Sequence, residues 1–521
     1  MQMLPIGIQN FESLRRRNYL YVDKTAVLQK LIENGERYFL SRPRRFGKSL
    51  TLSTIETMFK GKSELFEGLA AKEWVREQSK NISPVIRFDV SSLGSYANSE
   101  ELNRSIIQRL GDIAEDNDLQ LQAEDRSIEM LRKLIRALYK SFGSVVVLID
   151  EYDKPILDNI GNVEKANEVR EVLRSFYTTL KSCDEYLRFV FITGISRFSK
   201  MGVFSAMNNL LDISMTEQYA DICGYTQTEL ENNFNDWLRI MGEKRQMRKE
   251  EILARLKDYY DGFSFDGVTR LYNPFSILSC FGTGEFDNYW YTSGSPSFIV
   301  EWMKGHSIDD PEQYRHMQVA SDFTSSQEIE RAKPTSFLYQ SGYLTIEKKE
   351  DQLLTLDYPN REVLDSLSRM YLELIYRVEQ FASLGSEIWK ALKASNMSEI
   401  VRLYNIALKE IPYGDFSNRN EFWYRSLFLM LLRGAGIIAY AEVQTFKGRA
   451  DIVIQLEAQI IVLEFKFAEK SLVVAQKLLE GRKQIESREY AESYKLDNRK
   501  VISAVIVADD EKRQAVFYQI K

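Results

Sequence analysis

Along the first two hundred residues, short unbroken apolar runs alternate with longer stretches whose apolar residues recur at helical spacing. The runs are YFL in Arg37–Leu40, VIRF in Pro84–Val90, VVVLI in Ser144–Asp150 and FVFIT in Arg188–Thr193. They are continuous rather than alternating, the pattern of strands covered on both faces. Segments between them, Ser49–Phe59 and Asn162–Thr179 among them, are long enough for crossover helices, so a parallel α/β sheet is expected. From Asp221 the pattern becomes mostly helical, with aromatic-rich loops at Tyr259–Phe265 and Tyr272–Ser276. Ser336–Asn360 reads as a short strand-bearing unit, and Arg361 to Leu408 as helical. From Ile411 the pattern predicts a helix at Glu421–Leu432 and strands at Ala439–Gln444, Arg449–Leu456 and Ile460–Phe467. A helix from Leu472 to Ser493 and a strand at Val501–Val507 complete an α-β-β-β-α-β unit of ordinary domain size.

The chain has 521 residues, 44% hydrophobic and 28% charged, which is globular and suits about three domains. A formal net charge of -6 gives no global attraction for nucleic acid, so any such binding must use local patches. Cys183, Cys223 and Cys280 are far apart and odd in number, which argues against a disulfide framework or zinc site and suits a reducing compartment. The start, MQMLPIGIQNFESLRRR, lacks a basic stretch followed by an apolar one, so no secretion signal is expected. The aliphatic runs fall far short of the roughly 20 residues that span a bilayer. A cytoplasmic protein without a membrane partner is expected. Histidines occur only at positions His306 and His316, which leaves little room for chemistry built on several imidazoles.

The segment RYFLSRPRRFGKSL sets Gly47-Lys48-Ser49 between a strand and a helix, the context of a phosphate-binding loop. Lys48 would reach the β- and γ-phosphates of ATP, and Ser49 would hold Mg²⁺. Backbone N–H groups from Arg45 to Ser49, Phe46 included, would wrap the phosphate at the helix N-terminus. Arg42 stands where this pattern ordinarily has glycine; Pro43 would pre-set the turn, and Arg42, Arg44 and Arg45 would add positive charge. Asp150 and Glu151 follow a buried aliphatic strand, where ligands bind in open α/β sheets. Asp150 would hold Mg²⁺ and Glu151 would polarise the attacking water. Thr193, with Ser196 as second candidate, would contact the γ-phosphate or the water. Arg197 would stabilise charge, or else form a surface salt bridge.

FESLRRRNYLYVDKT, FLSRPRRFGKS, VVVLIDEYDKPI, TGISRFSK and MNNLLDISM resemble the bacterial AAA-ATPase-like family, and YYDGFSF, YNPFSIL, YQSGYLTI and YPNREV continue the resemblance. It covers essentially the whole chain. The family is usually fused to a C-terminal PD-(D/E)XK nuclease domain, so the resemblance implies ATP binding in the first half and places Tyr21-Val22-Asp23-Lys24-Thr25 near the nucleotide base. The expected layout is an AAA-like P-loop ATPase at 1–220, a helical, winged-helix-like lid at 221–410 and a nuclease-like domain at 411–521.

In that last segment a tight turn near Glu457–Ala458 would set Asp451 opposite Glu464, and Glu464 and Lys466 share one face of their strand. Two carboxylates and a lysine there make an oxygen-ligand site for Mg²⁺ or Mn²⁺. Ala450 stands where the PD-(D/E)XK pattern has proline. Asp451 and Glu464 would hold the metal and Lys466 would position the water. Glu421 would add a metal-site carboxylate, or is a helix N-terminal acid favoured by the macrodipole. Gln484, in a stretch similar to the family's QI motif, and Tyr490 would support the site. Lys447 and Arg449 would touch a phosphate backbone or are solvated turn charges. The three core residues alone could also be a cross-strand ion cluster. The functional expectation is an ATPase, able to form homo-oligomers with ATP, whose nuclease domain cleaves nucleic acid, DNA above all, under nucleotide control. The alternative is a non-cleaving switch or signalling ATPase whose C-terminal module only binds nucleic acid or protein.

Overall fold

The structure, a computed structural model, describes residues 1–122, 124–197, 209–292, 297–305, 311–324, 332–411, 419–445, 447–494 and 497–520. His306 and the last three residues of TGISRFSK lie outside them. Two compact units emerge: Met1–His306 with Tyr314–Glu362, and Ser307–Gln313 with Val363–Lys521. Compactness thus groups the chain differently from the three expected segments. The stretch 221–362 belongs mostly to the first unit, and the helices of 363–410 belong to the second.

In the first unit, strands β1 (Arg37–Ser41), β2 (Val85–Asp89), β3 (Val145–Asp150), β4 (Leu187–Gly194) and β5 (Leu211–Asp212) form one sheet in the order β2-β3-β4-β1-β5. Every pairing is parallel. All six residues of β3 are buried, as its unbroken VVVLI run requires. Helices α1 (Lys48–Phe59), α2 (Ser99–Glu115), α3 (Ser127–Phe142) and α4 (Val163–Ser182) belong to this sheet layer. Asn98 and Asn162 cap α2 and α4 by accepting from Glu101 N and Lys165 N. In α3, Leu131, Leu134, Ile135 and Leu138 fall on one face and are buried. The register Ser41↔Gly194 brings the C-terminal ends of β1 and β4 together, with β3 beside β4.

The rest of this unit holds a helical core around Leu230, Phe234, Leu256, Tyr260 and Ile277, which includes α5 (Pro274–Thr283). Asn273 caps α5 and Pro274 opens it. Strands β6 (Met317–Ala320), β7 (Thr345–Glu350) and β8 (Leu353–Asp357) make an antiparallel sheet in the order β6-β8-β7. The LYQSGYLTI stretch departs from the expected strand, because its first half is helix α6 (Pro334–Ser341). Pro334 at the first helical position and Gly342 at φ 91 after the last are start and stop signals that outrank the aromatic residues' strand preference.

The second unit contains α7 (Phe381–Lys393), α8 (Met397–Glu410), α9 (Glu421–Gly434) and α10 (Val474–Arg488), with a five-stranded sheet ordered β13-β12-β11-β10-β9. Its strands are β9 (Ala439–Thr445), β10 (Gly448–Gln455), β11 (Gln459–Ala468), β12 (Lys500–Asp509) and β13 (Gln514–Ile520). Only β11 and β12 pair in parallel. The sequence pattern does not reveal β13. Helix α10 lies against β11 and β12 through Gly481, where a Cβ would stand 2.5 Å from Val505 Cγ1. Among the described residues, no helix is long and apolar enough to cross a membrane.

Candidate functional site

The loop from β1 to α1 turns on two left-handed residues, Arg45 at φ 66 and Gly47 at φ 95. A Cβ on Gly47 would meet nothing within 4 Å, so its torsion, not space, requires glycine. Backbone that alternates handedness in this way makes neighbouring N–H groups converge into an anion-binding concavity. Lys48, 5% exposed, donates from Nζ to Arg42 O (2.9 Å) and Pro43 O (3.0 Å). Burial lowers its pKa, and Glu151 and Asp150 pull the other way. Lys48 thus fits an anionic phosphate: its ammonium is buried and, among the described residues, answered by the two carbonyls alone. A cavity of about 370 Å³, of ligand-pocket size, lies against the loop, and Arg44, Arg45, Gly47, Lys48, Ser49 and Glu151 line it.

The far wall of this cavity departs from expectation. Tyr21–Thr25 do not line it; Pro5, Gly7, Ile8 and Gln9 do, together with Tyr225 and Phe275. Asp23 instead accepts from Thr25 N (2.8 Å) and Ala70 N (2.7 Å), and Tyr21 packs edge-on against Phe11.

Glu151 lines the cavity from a left-handed backbone, φ 48. Burial raises its pKa against the pull of Lys48, which suits a carboxylate that takes up a proton. Asp150 is 2% exposed and accepts from Thr193 Oγ1 at 2.7 Å and from Glu151 N at 3.1 Å. Thr193 is fully buried and spends its hydroxyl on Asp150 rather than facing the cavity. Ser196 donates to Asp153 Oδ2 from both N and Oγ, each at 2.6 Å. Arg197 is not at the cavity either. It pairs with Asp212 at 2.8 Å and donates to Thr324 Oγ1 at 2.7 Å, so the salt-bridge reading describes its position.

Arg42 also departs from expectation. Its guanidinium is 1% exposed and donates to Ser41 O, Ser214 O, Tyr219 O and Ala220 O, stacked 3.9 Å from the Phe265 ring centroid. It ties the loop to the fold rather than adding charge at the phosphates. The YYDGFSF motif explains this arrangement. Phe263 and Phe265 pack edge-on against Phe46 at 4.9 and 5.6 Å, so the Phe46 ring is core and only its backbone is available to a ligand. Gly342 of YQSGYLTI, where a Cβ would stand 2.6 Å from Pro43, closes the other side.

In the second unit the pairing Ile452↔Leu463 sets Asp451 opposite Glu464, as expected from the turn. Glu464 is fully buried; Oε1 accepts from Lys466 Nζ at 2.6 Å, and Oε2 has no hydrogen-bond partner. Burial and then Asp451 raise its pKa to about 7. Burial would lower the Lys466 pKa, but Glu464, Glu421 and Asp451 outweigh it and raise it. Asp451 accepts from Phe465 N at 2.7 Å and from Arg425 Nη1 at 3.2 Å. Glu421, at the start of α9, feels Lys466, Asp451 and Arg425, and burial raises its pKa. A divalent cation fits this oxygen-rich set, because a buried carboxylate oxygen with no donor is costly unless a cation answers it. Gln484 Nε2 donates to Tyr490 OH at 3.1 Å, and the pKa of the buried Tyr490 is raised by burial and then by Glu464 and Asp451. Lys447 and Arg449 are each ion-paired, with Glu489 and Glu442.

A protein from Azotobacter chroococcum mcd 1, described as an uncharacterized protein in the vnfD 5′ region, is 34% identical over 510 residues, covering 94% of this chain and 93% of that one. A family model described as Predicted AAA-ATPase matches residues 5–204, and one for the PD-(D/E)XK nuclease superfamily matches 419–518. The chain belongs to the family that joins an AAA-ATPase-like module to a PD-(D/E)XK module. Solved structures of the Aeropyrum pernix ORC1 protein in complex with DNA and of Cdc6p from Pyrobaculum aerophilum align over 84% and 83% of this family member. They cover 89% and 92% of those chains at 10% and 12% identity, and their TM-scores of 0.25 and 0.24 are too low to carry an argument.

Two contributors to these modules are not singled out by the sequence pattern. Asp153, 2% exposed, fixes the chain after β4 by accepting from Ile195 N and Ser196 N; the DEYDKPI motif contains it, two residues past Glu151. Arg425 lies one helical turn after Glu421 on α9, and that spacing is its available signal. His316, Glu347 and Asp357 bring three ligand atoms within 4.8 Å of one another, but Arg315 pairs with Asp357 at 3.2 Å and His316 Nδ1 is hydrogen-bonded to Glu347 at 2.7 Å, so these side chains already engage partners.

Proposed function

We propose that this protein binds ATP with Mg²⁺ at the phosphate loop, hydrolyses it, and cleaves nucleic acid, with DNA as the substrate class, at the carboxylate centre under nucleotide control. The observation that carries the cleavage reading is Glu464, fully buried beside Asp451 and Lys466 with Oε2 unpartnered. In this reading Lys48, Gly47, Arg44, Arg45 and the Phe46 backbone hold the phosphates. Ser49 and Asp150 hold Mg²⁺, Thr193 acts by orienting Asp150, and Glu151 takes the proton of the attacking water. Asp451, Glu464 and Glu421 hold Mg²⁺ or Mn²⁺, which when bound polarises a phosphodiester and acidifies a bound water. Lys466 orients that water and offsets developing charge.

A second reading, a non-cleaving switch, draws on the hydrogen bonds that already engage both Asp451 oxygens. One assay separates the two. Wild-type chain should nick or cut DNA with Mn²⁺, and Lys466→Ala should lose at least about 100-fold of that activity while keeping ATP turnover. Wild-type chain that cuts neither DNA nor RNA with any nucleotide and metal leaves the switch.

A further inference from the structure

Three carboxylates stand in one row across the second sheet. The pairings Val443↔Ala450 and Ala441↔Ile452 set Glu442 of β9 opposite Asp451 of β10, and Asp451 in turn faces Glu464 of β11. Glu442 is left-handed, φ 54, within a strand. A non-glycine residue adopts that backbone only where its surroundings impose it. Two guanidinium groups take its carboxylate: Arg425 Nη2 donates to Oε1 at 3.0 Å, and Arg449 Nη1 lies 2.9 Å from Oε2. The other end of the Arg425 fork, Nη1, donates to Asp451 Oδ1 at 3.2 Å. The Arg425 side chain is 9% exposed, so this cation is nearly enclosed between the first two carboxylates of the row. The third, Glu464, keeps the unpartnered oxygen.

Like charges on adjacent strands repel, and this row, which runs from the 38%-exposed Glu442 side chain to the fully buried Glu464, is held together by cations between its members. Sites that use two metal ions meet that need with a second ion a few ångströms from the first. Here the chain carries a cation of its own at one of the two intervals. We infer that Arg425 is a built-in cation, a positioning residue that takes the place of a second metal ion between Glu442 and Asp451. The centre therefore accepts one divalent ion, on the Glu464 side. Each carboxylate oxygen has two lone-pair directions, so Asp451 can keep its bonds to Arg425 and Phe465 N–H and still ligate that ion. The inference rests on the metal-centre reading above and adds its stoichiometry.

The test is a Mn²⁺ titration of the nucleotide-free full chain by calorimetry. Each protein is compared with its Asp451→Asn counterpart, so that the difference counts ions at this centre. Wild type should bind one such ion, Arg425→Gln two, and Glu442→Gln one. A single ion in Arg425→Gln overturns the inference and leaves the metal centre standing. No Asp451-dependent ion in wild type removes both. Should Arg425→Gln not fold, the Mn²⁺ spectrum of wild type decides by paramagnetic resonance. Six lines from an isolated ion support the built-in cation, and a spin-coupled pair overturns it.

Discussion

The phosphate loop and the carboxylate centre are each built around one buried charge, and the two charges have opposite sign. At the loop, Lys48 presents an ammonium answered by two backbone carbonyls and, among the described residues, by no carboxylate in contact. At the centre, Glu464 presents a carboxylate with one oxygen on Lys466 and the other unanswered. Burial pushes both groups toward neutrality, the lysine down and the glutamate up. Under the proposed function a phosphate would supply what the first site lacks and a divalent cation what the second lacks. The difference teaches what to look for in such a chain, since a buried charge without a full set of partners indicates the sign of its missing ligand.

The sharpest way to break this contrast is at Glu151. Replacing its carboxylate by an amide, Glu151→Gln, should cut ATP turnover by about 100-fold or more while nucleotide affinity holds, read by steady-state hydrolysis beside equilibrium binding. An unchanged rate would reduce the acid to a loop residue. Next in size is the pH response of the carboxylate centre. Glu464 has a folded pKa of about 7 against an ordinary 4.5. Its proton therefore stabilises the metal-free fold in full below about pH 4.5, and that stabilisation is lost as pH rises through about 7. A cation must displace this proton, so Mn²⁺ affinity should fall about tenfold per pH unit below 7 and level off above it. A flat profile from pH 5 to 8 would show that Glu464 does not ligate the ion. The smallest expected effect is at Thr193. Thr193→Val removes the 2.7 Å bond to Asp150 with little change in volume. It should raise the Mg²⁺ concentration needed for half-maximal ATP turnover by roughly threefold to tenfold, about the net worth of one ordinary hydrogen bond. A loss of rate at saturating Mg²⁺ instead would mean that the hydroxyl acts on the reacting atoms.

Much of this architecture is legible in the amino-acid sequence alone. Continuous apolar runs locate β1 to β4, because strands buried on both faces leave no alternation to misread. The period of two along β10 and β11 places Asp451, Glu464 and Lys466 together, and the register agrees. What stays hidden depends on partners distant in sequence. Arg42 reads as loop charge in sequence, whereas the fold surrounds it with the carbonyls of Ser214, Tyr219 and Ala220 and the ring of Phe265. Arg197 reads equally as a charge-stabilising cation or as a salt bridge, and only the fold, which brings Asp212 to it, separates the two. The wall of the cavity formed by Pro5–Gln9 carries no periodic pattern at all. Helix α6 is misread because its aromatic residues point one way while Pro334 and Gly342 point the other.

A crossed titration of the full chain with two probes, a non-hydrolysable ATP analogue with Mg²⁺ and Mn²⁺ alone, tests the two sites most directly. Lys48→Ala should lose the analogue by about 100-fold or more and bind Mn²⁺ as wild type does. Glu464→Gln should lose Mn²⁺ and bind the analogue as wild type does. If both variants lose both ligands, or if neither loses its own, the reading of two separate sites with opposite unanswered charges is wrong.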